Sequence, residues 1–358
     1  MKKVRVLVVD DSVVIRQLLG GILEEHPEIE VVGRAANGVI ALQKIALLTP
    51  DLVTLDVEMP EMDGIETLKR IRAACPDLPV IMFSSQGEQS ARATVEALAI
   101  GASDFISKPA NFNAAESAIQ QVRDQLIPRV MLFGKPRDRV KAASEVYSTA
   151  ARPISEHQNL TKVSSAAVEV VALGVSTGGP DALNRLIPLF PVDLSVPLFV
   201  VQHMPPIFTR QLAQRLNSNS QIEVVEGADG MPVRSGCVYI APGGFHMGVH
   251  REKSGMRIRL AETPPEHSCR PAVDYLFRSI AENYGSRSLA VVLTGMGHDG
   301  TSGAAVLKAC GALVFAQDEQ SSVVWGMPGS VVKAGLADKV VSLQAMRDEI
   351  LAVSGYAF

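Results

Sequence analysis

Long apolar runs are missing from this sequence. No stretch approaches the ~20 consecutive apolar residues of a membrane-spanning helix. Cysteine is scarce: Cys75, Cys237, Cys269 and Cys310 are scattered, with no CxxC pair. That spacing excludes a disulfide framework and a cysteine zinc site, and points to a reducing compartment. An excess of positive charge is also lacking. Lys and Arg number 34 against 38 Asp and Glu, for a formal net charge of −4, which excludes a large nucleic-acid surface. The start, "MKKVRVLVVDDS", is basic but meets two aspartates after one short apolar run, unlike a secretory leader. The expectation is a cytoplasmic protein with no membrane insertion.

What is present is alternation. At 358 residues the chain is long enough for two domains. In the first part, "VRVLVVD", "IEVVGRA", "DLVTLDV", "LPVIMFSS" and "DFISK" alternate with segments of helical periodicity such as "SVVIRQLLGGILEEH" and "GIETLKRIRAAC". Near-continuous Val/Ile/Leu strands between helices mean a parallel sheet covered on both faces. The pattern fails from about Pro128 to Ala167, where "RDRVKAASEVYSTAA" is the best candidate for a helix in a linker. It returns at Val168. Strands are expected in "VEVVALGVS", "PLFVVQHM", "GCVYIAPGG", "RIRLAE", "LAVVLTGMG" and "ALVFAQDE". Helices are expected over Asp181–Phe190, Thr209–Asn217, Ala272–Tyr284 and Thr301–Cys310. The chain therefore divides into a doubly wound five-stranded parallel domain at 3–125, a linker at 126–167, and a second α/β domain with a mainly parallel sheet at 168–356.

In the first domain Asp10 and Asp11 end the first strand, Asp56 ends the third and Lys108 follows the fifth. Carboxyl ends of strands in an open parallel sheet meet in one crevice. Converging carboxylates repel unless a cation neutralises them, and hard oxygens suit Mg²⁺. A carboxylate beside Mg²⁺ and a lysine can accept a phosphoryl group. The stretches "VVDDS", "DVEMPEMDGIE", "MFSS" and "GASDFISKP" closely resemble the response-regulator receiver domain. The resemblance implies that Asp56 accepts phosphate from a histidine kinase, that Asp10, Asp11 and Asp56 hold Mg²⁺, and that Lys108 contacts the phosphoryl group. It also implies that Ser84 and Phe105 are the hydroxyl and aromatic residues that switch on phosphorylation.

In the second domain "VVALGVSTGGPDALNRL" sets a serine between a strand and a helix. It could be a nucleophile, a phosphate cradle or a plain turn. There is no GxGxxG and no GKS/T, so the cradle lacks its signature. Strand-turn-helix presentation is how α/β hydrolases expose a nucleophile, although this is not their GxSxG. Ser176 then needs a base and an orienting acid. Among His203, His246, His250, His267 and His298, His203 directly follows a strand and is the first choice of base. His246 is the second. Asp299 is the first choice of acid because Gly297 and Gly300 free the backbone around it. Asp181 and Asp274 lie in helical segments, where solvated faces or caps are the default.

The stretches "GVSTGGP", "VVQHMPPIFTRQLAQRLN", "APGGFHM", "SCRPAVDYLFRS", "TGMGHDGTSGAAVLKACGA" and "SSVVWGMPGSV" resemble the chemotaxis protein-glutamate methylesterase family, CheB. That resemblance implies a Ser176–His203–Asp299 triad that hydrolyses glutamate methyl esters on chemoreceptor helices, and in some members deamidates receptor glutamines. Met296 is a candidate oxyanion donor and Thr177 a candidate orienter of His203, both from position. No cofactor is expected at the esterase site. The receiver is expected to cover the serine until it is phosphorylated. Gln317, Gln320 and Trp325 depart from the family's usual run and are expected to bear on substrate fit. A DNA-binding output would need a basic recognition helix, which the second domain lacks. A receptor-binding adaptor without activity would not need all three triad residues.

Overall fold

The computed structural model describes residues 2–109, 116–134 and 168–356. The first part runs β1 (Val4–Val9), α1 (Val13–Glu24), β2 (Ile29–Ala35), α2 (Gly38–Leu48), β3 (Leu52–Asp56), α3 (Gly64–Ala74), β4 (Val80–Ser84), α4 (Glu88–Ile100), β5 (Asp104–Ser107) and α5 (Glu116–Phe133). The strands order β2-β1-β3-β4-β5, with every pair parallel. Strands β3 and β4 are buried at every position, as a sheet with helices on both faces requires. Side-chain caps start the helices: Ser12, Asn37 and Asp63 accept from the backbone N–H three residues on.

Helix α5 continues through Pro128 to Phe133, beyond the position where periodicity was expected to fail and beyond residue 125. Val122, Leu126 and Val130 are all buried at four-residue spacing. Their burial offsets the roughly 3 kcal/mol that a proline costs inside a helix. The helix expected over residues 137–151 lies outside the described residues.

The second part runs β6 (Val170–Val175), α6 (Gly179–Leu186) with a 3₁₀ turn at Ile187–Leu189, β7 (Leu198–Gln202), α7 (Phe208–Asn219), β8 (Glu223–Glu226), β9 (Cys237–Ile240), β10 (His246–Glu252), β11 (Gly255–Ala261), α8 (Val273–Tyr284), β12 (Ser288–Val292), α9 (Thr301–Ala309), β13 (Leu313–Gln317), α10 (Met327–Lys333), β14 (Lys339–Val341) and α11 (Leu343–Val353). Seven strands order β14-β13-β12-β6-β7-β9-β8, and each pair is parallel. The expected strand "RIRLAE" forms, but not in this sheet. It is β11, paired antiparallel with β10 in a separate hairpin. Strands β8, β10 and β14 and helices α10 and α11 extend the expected set.

Strands β6, β12 and β7 sit side by side at the centre of the sheet. Their carboxyl ends, at Val175, Val292 and Gln202, therefore open onto one edge. The two halves pack through α4, which lies against α6 and α7. Phe105 of β5 stacks on Phe208 of α7 at 4.8 Å between ring centroids.

Candidate active site

Ser176 follows the last residue of β6, and its backbone is held on three sides. Its N–H donates to the Thr294 carbonyl at 3.0 Å, and its own carbonyl accepts from Gly179 N–H and from Gln202 Nε2. Two glycines make the turn, for different reasons. Gly178 has φ +78°, and a Cβ there would lie 2.6 Å from Val323 Cβ. At Gly179 a Cβ would lie 2.0 Å from Gln202 Oε1. The turn thus combines a left-handed residue with a close approach to a neighbouring strand.

His203 takes the next position on the adjacent strand. Val175 pairs with Gln202 in register, and His203 N–H donates to the Val175 carbonyl at 3.2 Å. Gln202 Nε2 also donates to the His203 carbonyl at 3.3 Å, so one buried amide ties the backbones of both residues together. His203 Nε2 bonds Asp299 Oδ2 at 2.8 Å. Burial pushes the imidazole pKa down, but the bond to Asp299 and the Cys269 thiol outweigh it, and the pKa is raised to about 9.

Asp299 is buried after β12, in a turn where Gly297 and Gly300 have φ of +88° and +91°. Its oxygens accept from the N–H groups of Val273, Asp274 and Gly300 at 2.7–2.9 Å. The first two belong to the N-terminus of α8, where a negative charge is favoured. Burial works against the carboxylate, yet His203 and these amides hold its pKa below the ordinary value.

Gly295 lets the following turn approach the serine. A Cβ on it would lie 2.9 Å from Ser176 Cβ. The backbone N–H groups of Met296 and Thr177 donate to no acceptor among the described residues. Those of Ser176 and Gly179 are used. The hydrogen bonds of Thr177 do not run to His203; its carbonyl accepts from Thr294 Oγ1 at 2.9 Å. Gln317 does not face a substrate space. It is fully buried, its Oε1 accepts from Thr294 N–H at 2.8 Å, and its carbonyl accepts from Trp325 Nε1.

The remaining histidines are bound elsewhere. His246, the second-choice base, is buried between the Pro264 carbonyl and Ala272 N–H. His250 pairs with Glu252 on the hairpin, and His267 with Asp274. Asp181 forms an exposed pair with Arg185. Asp274 corrects the expectation of a solvated residue: it is 1 % exposed, and it accepts from Gly303 N–H in the first turn of α9 at 2.6 Å. Sequence reasoning missed Gln202 and Thr294. Both are polar residues at or just beyond the end of a buried apolar strand, and that position was the available signal.

In the first domain Lys108 Nζ lies 2.9 Å from both Asp10 Oδ2 and Asp56 Oδ2. Burial, and next to it the nearby Asp10 charge, outweigh Lys108, and the Asp56 carboxyl is pushed up to about 6. Oxygens of Asp10, Asp11 and Asp56 lie within 4.8 Å of one another. This set of three carboxylates, two of them buried, fits a hard divalent cation. Ser84 is turned toward α4, where its hydroxyl bonds Thr94 Oγ1 at 2.7 Å and the Ser90 carbonyl. Phe105 faces α7 instead of solvent.

Residues 171–350 match the CheB methylesterase family, and residues 6–120 match the response regulator receiver domain. A relative from Trichodesmium erythraeum, named protein-glutamate methylesterase/protein-glutamine glutaminase, is 48 % identical over 98 % of this chain and 99 % of its own. A relative of the same name from Bacillus subtilis is 43 % identical over 94 % of each chain. The crystal structure of the Thermotoga maritima CheB methylesterase catalytic domain is similar to 52 % of this chain and 98 % of its own, with 43 % identity and a TM-score of 0.51. No helix among the described residues is long and apolar enough to cross a membrane.

Proposed function

The chain belongs to the CheB methylesterase family, and from that premise we propose that it is a cytoplasmic, phosphorylation-activated serine hydrolase. Its reaction is hydrolysis of glutamate methyl esters on chemoreceptor signalling helices, with deamidation of receptor glutamines as a second activity. The relatives' shared name supports both leaving groups. The observation that carries the reading is the 2.8 Å His203–Asp299 bond, formed beside a serine on the adjacent strand end.

Ser176 Oγ attacks the ester carbonyl while His203 Nδ1 takes its proton. Asp299 holds the tautomer and stabilises the imidazolium. The carbonyl oxygen becomes an oxyanion, met by the free N–H groups of Met296 and Thr177. Losing one such donor typically costs about 10²–10³ in rate. His203 then protonates the departing methoxide, and methanol leaves. Water attacks the acyl-serine with His203 again as base, releasing glutamate and restoring Ser176. With a glutamine, ammonia leaves in place of methanol.

The first domain is the control element. A histidine kinase supplies the phosphoryl group to Asp56, and Asp10, Asp11 and Asp56 would hold Mg²⁺. That ion would screen the carboxylates and the incoming phosphoryl oxygens. Before phosphorylation the receiver holds the second domain in a closed arrangement. The Phe105–Phe208 stack supports this, because Phe208 begins the helix that follows His203 through Ile207. Ile207 is a β-branched residue at φ +71°, a strained joint that a packed neighbour must hold in place. Phosphorylation draws the Ser84 hydroxyl away from α4 and loosens the α4 contact with α6 and α7.

The test is methanol release from methylated receptor membranes. Wild type should release methanol, and Ser176→Ala should not. Near-wild-type release by Ser176→Ala would remove the nucleophile.

A further inference from the structure

The catalytic aspartate has a second neighbour that the mechanism does not use. His267 Nε2 bonds Asp274 Oδ2 at 2.9 Å, and Asp274 N–H in turn bonds Asp299 Oδ1. One nitrogen of His267 and one oxygen each of Asp274 and Asp299 lie within 4.8 Å of one another. Both carboxylates are buried, while the His267 side chain is 34 % exposed and opens the cluster to solvent. His298 stands edge-on to His267, with ring centroids 4.6 Å apart.

The backbone is committed to this placement. Glu266 and Cys269 exchange both hydrogen bonds across a two-residue turn, and the central residues His267 and Ser268 have φ of +51° and +62°. Two positive φ values in succession are the pattern of a type I′ turn, which favours Asn and Gly. A histidine held there is a strained residue that presents its imidazole to two buried carboxylates.

One imidazole and two carboxylates are a three-residue ligand set for a borderline divalent cation, with a position left open. Imidazole suits zinc, copper or nickel, whereas Mg²⁺ selects oxygens alone. Ligands on a zinc ion at ~2.0–2.2 Å bond lengths sit a little over 3 Å apart. The His267–Asp274 pair is already near that spacing. The nearby cation Arg278 is bound to Glu266.

We propose that His267, Asp274 and Asp299 form an inhibitory site for a zinc-class divalent cation, with His298 beside its open position. A cation there draws the Asp299 carboxylate into its own shell at the expense of the bond to His203. No covalent bond forms or breaks and nothing is oxidised. The inhibitory part rests on the triad proposed above; the binding part does not.

The experiment is a calorimetric titration of the full chain with zinc chloride in Mg²⁺-containing buffer, comparing wild type with His267→Gln. Wild type should bind one more equivalent than the variant, or bind it at least about ten-fold more tightly. Identical isotherms would overturn the site and assign the binding to cysteines or receiver carboxylates. Methanol release, normalised to each protein's zinc-free rate, should be inhibited in wild type at least about ten-fold more sensitively than in the variant. If neither protein releases methanol, the esterase reading fails and the isotherms still decide the site. Should His267→Gln not fold, diethyl pyrocarbonate labelling of wild type decides. One equivalent of zinc should protect His267, and full labelling of His267 with zinc bound would overturn the proposal.

Discussion

At the residue scale, two ionisable groups are held away from their ordinary behaviour. His203 has a pKa raised to about 9, so most of the free enzyme carries an imidazolium at neutral pH and lacks its base. The dependence of kcat/KM reports the free enzyme. It should therefore climb with pH through neutrality and level off near 9. In Asp299→Asn the bond that favours the imidazolium is weakened while burial remains. The acid limb should move to lower pH as the rate falls by on the order of 10⁴. A limb that stays in place in that variant would show that Asp299 does not set the His203 charge. Asp56 is displaced in the same direction, upward, but here the shift disfavours the charged form. Its carboxyl is raised from 3.8 to about 6, so between those values the folded protein keeps a proton that the unfolded chain releases. Stability from this group falls as pH rises across that window, by at most about 3 kcal/mol. Asp56→Asn should raise the melting temperature at pH 7.5 without Mg²⁺, the advantage should vanish near pH 4, and Mg²⁺ should narrow it. Equal melting temperatures at pH 7.5 would mean the buried charge is not frustrated. The positions of Ser176, His203, Asp10, Asp56 and Lys108 at strand ends were legible because hydrophobic runs mark the strands, and that of Asp299 because glycines flank it in the turn after β12. Gln202 and Thr294 were not. Their roles consist of bonds between strands far apart in sequence, and no local pattern encodes those.

At the element scale, the Ser176 turn is built by the fit of one strand's end against the next. Gly179→Ala would place a methyl group 2.0 Å from Gln202 Oε1 and push out the amide that joins the Ser176 and His203 carbonyls. The expected result is a fall in kcat of ten-fold or more with KM little changed, since substrate contacts are untouched. A change confined to KM would show that the amide bridge positions nothing. Most elements were readable from periodicity, and the failures have physical causes. Pro128 is a strong stop signal locally, yet α5 passes through it because Leu126 and Val130 are buried on the same face. Replacing Pro128 by Ala should stabilise the protein by about 1–3 kcal/mol in chemical denaturation. Strand β11 was readable as a strand but not its partner: its alternating "RIRLA" suits a half-exposed hairpin, and it pairs antiparallel with β10. Short β8 and β14 owe their existence to edge pairing, which sequence windows do not register.

At the scale of the whole molecule, the two domains meet through α4 and α7, and Phe105, the proposed switch aromatic, stacks on Phe208 of α7. Phe105→Ala removes a stack worth roughly 0.5–1.5 kcal/mol beyond its buried area. Methanol release by the unphosphorylated chain should then rise about two- to ten-fold, with a correspondingly smaller gain from a phosphodonor. An unchanged basal rate would place the restraint elsewhere on the interface. The central claim, though, is that Ser176 is the nucleophile activated by His203 on the neighbouring strand. Its most direct test is a fluorophosphonate probe, which reacts only with an activated serine, followed by peptide mass mapping. The account predicts one adduct per chain at Ser176, lost in His203→Gln and formed faster with a phosphodonor. An adduct on another residue, or equal labelling of Ser176 in His203→Gln, would contradict it.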